Sequence, residues 1–212
     1  MVDVMRITSS SFADGEVIPA RYAFAKPDPE TRVTLSDNVN PHLEWSDVPD
    51  GTRSFALICH DDDVPSKGDD VNQPDREIPA DLPRVDFFHW VLVDIPAEKR
   101  SISEGEFADG VVAGGQQVAA GPGGTRQGLN DFTGWFAGDQ DMAGSYFGYD
   151  GPAPPWNDSI LHHYVFTVYA LDVASVDVSG NFTGHDVRAA IDGHILAKAS
   201  LQGTYTQNLR LL

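Results

Sequence analysis

"SFALICHDDDVPS" (residues 54–66) sets an apolar run against three consecutive acids and a proline. Ser54–Cys59 has the branched and aromatic content of a buried strand. Side chains alternate faces along a strand, so Asp61 falls on the face of Leu57 and Cys59. A strand that leads apolar residues into acids has three readings: metal ligands, acid/base groups or a solvated turn.

Working outward, Phe87–Ile95 ("FFHWVLVDI") reads as a second strand, stopped by Pro96. Tyr164–Leu171 ("YVFTVYAL") and Ala199–Tyr205 read alike, with shorter candidates at Glu16–Tyr22 and His42–Trp45. One helix is predicted over His185–Lys198, where Val187, Ile191 and Ile195 recur every four residues. Two long loops join the strands, Ser66–Asp86 and Gly105–Gly151. The second carries Phe132, Trp135, Phe136, Tyr146, Phe147 and Tyr149, so it is expected to pack on the body. The pattern predicts a mainly β chain, a β-sandwich with one late helix, in a single domain over residues 1–212.

Strand parity also gathers ionisable groups. His89 is expected on the face of Phe87, Val91, Val93 and Ile95, and His162 on that of Tyr164, Phe166 and Val168. With Asp61 these would put two imidazoles and a carboxylate at neighbouring strand ends. Pro65 and "GYDGPAPP" (148–155) would wall the pocket, since proline fixes φ and glycine lets backbone donors approach. Such a pocket suits a small oxyanion. The alternative is a hydrolase using the same Asp/His cluster, with or without a metal on Asp61, Asp63, His89 and His162.

Composition narrows the partners. The chain has 32 acids against 14 bases, a net charge of −18, which disfavours nucleic acid and anionic membranes. The excess serves solubility or adaptation to a saline cytoplasm. No apolar run is long enough to span a bilayer, and "MVDVMRITSS" (1–10) lacks a basic or apolar leader, so the expected compartment is the cytoplasm. Cys59 is the sole cysteine, which excludes an internal disulfide. There is no G-x-S-x-G, and "GPGG" (121–124) lacks the Lys-Ser/Thr of a phosphate-binding loop.

The ordered set "DDDVP" (61–65), "FHWVLVDIP" (88–96), "GYDGPAPP" (148–155) and "LHHYVFTVYALD" (161–172) resembles the phosphatidylethanolamine-binding protein family, which includes the Raf kinase inhibitor protein and plant flowering regulators. "ITSSSFADGEVIPARYAF" (7–24), "NPHLEW" (40–45) and "LQGTY" (201–205) fit its bacterial and archaeal branch. The resemblance implies a large central antiparallel sheet packed on a smaller one, with a helix near the C-terminus. It implies a pocket for phosphate, acetate or a phosphoethanolamine headgroup, formed by Asp61, Asp63, Pro65, His89, Gly151, Pro154, His162 and Tyr164. It further implies action by binding rather than catalysis, without a cofactor, with a kinase or protease partner, and homodimers among prokaryotic members. Two positions depart from the family pattern. Asp62 stands for a proline, and His163 stands for an arginine whose pairing with an acid would be weakened.

Overall fold

The computed structural model describes residues 4–212. Ten strands and two helices follow in order: β1 (Arg6–Thr8), β2 (Ala25–Asp28), β3 (Arg32–Leu35), β4 (Leu43–Ser46), β5 (Ser54–Pro65), β6 (Arg84–Pro96), β7 (Ser101–Ile102), β8 (Arg126–Gln127), α1 (Phe132–Trp135), β9 (His162–Leu171), α2 (Gly184–Ile191) and β10 (Ile195–Tyr205). A five-stranded antiparallel sheet runs β10-β9-β5-β6-β8, a three-stranded sheet runs β1-β4-β7, and β2 and β3 form a separate hairpin. This is the large sheet, smaller sheet and late helix that the sequence leads one to expect.

The large sheet is buried on both faces, because its strands carry apolar side chains at successive positions. One face, with Phe55, Leu57, Trp90 and Phe166, packs with Ile7, Leu43, Trp45 and Ile102 of the small sheet. The other, with Ala56, Ile58, Val91 and Val93, packs with Val187 and Ile191 of α2. The glycine-rich loop folds back as expected, with Phe132, Tyr146 and Tyr149 buried.

Three expectations need correction. The helix stops at Ile191, because Gly193 takes a left-handed φ of 83° and the chain reverses into β10. Ile195–Lys198 is therefore strand, although its spacing is helical. Glu16–Tyr22 is no strand; it forms a single bridge at Val17 and a 3-10 turn over Ala20–Tyr22. Strict alternation also fails on β6. Cys59 pairs with Trp90 and His60 with Phe88, which leaves His89 as an extra residue. That bulge puts His89 and Trp90 on one side, while Val91 and Val93 join the α2 face. His89 thus does not share the face of Val91 and Val93.

Candidate functional site

β5 lies between β6 and β9, with Asp61 directly opposite Phe87 on one side and Tyr164 on the other. This register gathers Asp61, His89, His162 and Tyr164 at one end of the sheet, all of them buried. They line a cavity of about 450 Å³ together with Pro65, Pro154 and Gln207. The rest of its wall is largely apolar: Val33, Leu35, Val64, Val71, Phe87, Phe132, Trp135 and Phe136. Trp135 and Leu35 are more than half exposed.

His162 is fully committed. Its Nδ1 lies 2.7 Å from Asp61 Oδ2 and its Nε2 lies 3.0 Å from Asp158 Oδ2. Burial opposes a charge there, but Asp61 and Asp158 outweigh it and raise the imidazole to about 9. His162 is therefore an imidazolium at neutral pH, donating from both nitrogens. Asp158 continues the chain to Arg84, whose Nη1 and Nη2 donate to its two oxygens at 2.6 and 3.1 Å. Burial works against ionised Asp158, yet His162 and Arg84 hold its carboxyl below the usual range. Two carboxylates, an imidazolium and a guanidinium cancel in charge.

His89 is the opposite case. Nδ1 lies 2.8 Å from the Asp150 carbonyl, which can only accept, so this nitrogen carries the proton. Burial lowers the imidazole to about 4, despite Asp61 nearby. At neutral pH the ring is uncharged and Nε2 is a free acceptor. The rings of Phe87, Phe132 and Tyr164 fix its plane, with centroids 4.9, 5.4 and 5.1 Å away. Behind it, Asp150 accepts from Asn38 and Asn130 at 2.9 and 2.8 Å, and burial raises its carboxyl to about 7 against those bonds.

Two more polar atoms are buried in the cavity wall without a partner among the described residues, the Tyr164 hydroxyl and Gln207 Oε1. Gln207 Nε2 donates to the Pro154 carbonyl at 2.6 Å, which fixes the amide with its oxygen as acceptor.

Of the eight residues expected at the pocket, six line it and two do not. On β5, Asp62 and Asp63 form a bulge, two residues between the Asp61–Phe87 and Val64–Val85 pairs that face only Asp86. Val64 therefore follows Asp61 along the cavity wall. Asp63 turns to His163 and accepts from its backbone N and Nδ1 at 2.9 and 2.7 Å. His163 thus keeps an acid partner where the family has arginine. Gly151 lies behind the pocket, with its N donating to Asn38 Oδ1 at 2.8 Å. A side chain there would come within 2.1 Å of the Tyr22 carbonyl, so the site needs glycine for close approach rather than for ligand contact. Asp62, Asp63 and His163 bring one donor atom each within 4.8 Å of one another outside the pocket, but Asp63 is already spent on His163. The metal reading, with Asp61, Asp63, His89 and His162 on one ion, does not survive this separation.

Arg84, Asp158, Asp150 and Gln207 were not legible as site residues. They sit in loops or at strand ends, where no periodicity predicts direction.

A family model described as phosphatidylethanolamine-binding protein matches residues 8–206. The chain belongs to that family. It is 32% identical over 202 residues to the UPF0098 protein YbhB of Escherichia coli, covering 95% of this chain and all of that one. It is 31% identical to a UPF0098 protein of Aquifex aeolicus, covering 97% of this chain and 90% of the relative. Among solved structures, E. coli YbcL, described as a new member of the mammalian PEBP family, superposes with a TM-score of 0.68 at 27% identity, covering 96% of this chain and 99% of that one. No helix among the described residues is long and apolar enough to cross a membrane.

Proposed function

We propose that this family member is a non-catalytic binder of small oxyanions and phosphorylated headgroups of the phosphate or phosphoethanolamine type. The observation that carries the reading is that His89, with Nε2 unpartnered among the described residues, and the Tyr164 hydroxyl line one cavity. In the ligand-free state Nε2 is an acceptor. An oxyanion binds by bringing a proton with it, so that Nε2–H and the Tyr164 O–H both donate to it. The anion then supplies the counter-charge that burial denies the bare imidazolium. His162 takes no direct part, since both its protons are used by Asp61 and Asp158. It holds Asp61 in place. The apolar mouth accommodates a chain attached to the headgroup.

Proton uptake gives the test. Acetate stays ionised between pH 6 and pH 8, so only the protein's protonation changes. Its affinity, measured by calorimetry, should fall about tenfold per pH unit over that range. Buffers of different ionisation enthalpy should report uptake of up to one proton. His89→Ala should abolish binding. Affinity that rises with pH, or no binding at millimolar acetate, phosphate or phosphoethanolamine, would overturn the proposal. The cavity lining holds no Ser, Thr or Cys to serve a hydrolase as nucleophile.

A further inference from the structure

A second cavity, of about 550 Å³, opens on the other side of Trp156 and Gln207, which line both. Four separated segments build it: the β2–β3 turn with Asp28 and Arg32, the loop Pro74–Glu77, Trp156–Asn157, and Gln207–Arg210. Its floor is tied down. Asn157 Nδ2 donates to the carbonyls of Asp70, Gln73 and Arg76, and Asn208 Nδ2 donates to that of Asp158 at 2.7 Å. The volume is that of a small-molecule site.

Its charges are unusual for this chain. Acids outnumber bases more than two to one overall, yet the cavity is lined by three arginines and three acids. Most of these charges are already committed. Asp28 Oδ1 accepts from Glu30 N, Thr31 N and the Thr31 hydroxyl, which makes the hairpin turn. Arg76 pairs with Asp70 and Arg210 with Glu77. Arg32 is different. Its guanidinium has no carboxylate and no hydrogen-bond acceptor among the described residues. Its Cζ lies over the Trp156 ring, 4.2 Å from the centroid. Arg32 also takes a left-handed φ of 71°, so the turn itself sets the direction from which the side chain leaves. A stacked guanidinium keeps its edge donors in one plane, the geometry that grips a carboxylate or phosphate with two parallel bonds. Gln207, in the same lining, is 4% exposed, and its Oε1 is a buried acceptor without a donor among the described residues.

We propose that this cavity is a second ligand site, separate from the His89 pocket. It would take a small organic oxyanion, a carboxylate or phosphate monoester, that also bears a hydroxyl or amine. The oxyanion docks on the Arg32 fork, the body of the ligand lies against Trp156, and its donor reaches Gln207 Oε1.

The probes are L-malate and glycerol 3-phosphate, titrated calorimetrically at low salt. The His89→Ala protein removes the first pocket from the measurement. It should still bind one equivalent of probe. Adding Arg32→Asn, which tolerates the left-handed turn, should weaken that binding at least tenfold. Arg32→Lys, which keeps the charge but loses the fork, should weaken it severalfold. Succinate, which lacks the hydroxyl of malate, should bind severalfold more weakly than malate. In the His89-intact protein, Arg32→Asn should leave acetate binding and the melting temperature unchanged, which shows that the variant is folded. Failure of His89→Ala to bind either probe at millimolar concentration would overturn the second site. So would binding indifferent to Arg32→Asn. Neither result bears on the His89 pocket, whose own test is the pH dependence of acetate binding.

Discussion

His89 and His162 carry the same side chain into the same buried pocket and leave with opposite protonation. The difference is their partners. A carbonyl offers His89 one neutral acceptor, while Asp61 and Asp158 offer His162 two charges. The two histidines therefore act on stability at opposite ends of the pH scale. For His162 the folded value of about 9 exceeds the ordinary 6.5, so its contribution is complete below pH 6.5 and is lost as pH rises through about 9. For His89 the folded value of about 4 lies below 6.5, so its contribution is complete above pH 6.5 and is lost as pH falls toward 4. Replacing Asp158 with Asn removes the link between His162 and Arg84. Urea denaturation at pH 7 should show a loss of about 3–5 kcal/mol, the usual cost of stranding a buried charge. The loss should shrink above pH 9, where His162 no longer carries charge. A loss below about 1 kcal/mol, or one independent of pH, would refute the assignment. Asp61 and His162 were readable from alternation alone, because Ser54–Asp61 pairs with Tyr164–Leu171 without interruption and β9 runs on regularly to His162 against β10. Asp158 was not, since its direction depends on a loop.

At the scale of elements, irregularities decide what faces the cavity. The extra residue on β6 brings His89 to the pocket side, and the bulge on β5 takes Asp63 away from it. A period of two assumes no insertions, so it groups His89 with Val91 and Val93, which the bulge on β6 separates from it. The helix was misread for a related reason. Apolar residues continue at helical spacing through Ile195, and only backbone conformation at Gly193 reveals the stop. Gly193 is exposed and a side chain there would meet nothing, so its substitution tests conformation alone. Gly193→Ala should cost about 1–2 kcal/mol in thermal melts, the cost of a left-handed alanine. Gly193→Asn should cost less, since asparagine visits that region. Equal losses for the two variants would argue against a left-handed stop. The start of the helix is set by a reciprocal cap, Thr183 and Asp186 each bonding the other's backbone N–H.

For the whole molecule, the four long strands were legible, because long apolar runs rich in branched and aromatic residues belong in the interior, but their order in the sheet was not. The small sheet was less legible, since β1, β4 and β7 are two to four residues each and carry little pattern. The charge of −18 makes a prediction of its own. Self-repulsion is screened by salt, so the melting temperature should rise between 0.05 and 1 M sodium chloride, with most of the gain before the Debye length falls to about 3 Å. A melting temperature that fell or stayed flat would show that the acids are already balanced locally. The cancelled charges of Asp61, His162, Asp158 and Arg84 have a further consequence, for rates. A pocket with no net charge, inside a strongly negative envelope, has no long-range pull on an anion. Encounter is slowed by the envelope and hastened by ions that mask it. Anion capture by the His89 pocket should therefore speed up as salt is added, the reverse of ordinary electrostatic steering, in which opposite charges attract. Stopped-flow association at two ionic strengths would read that inversion directly.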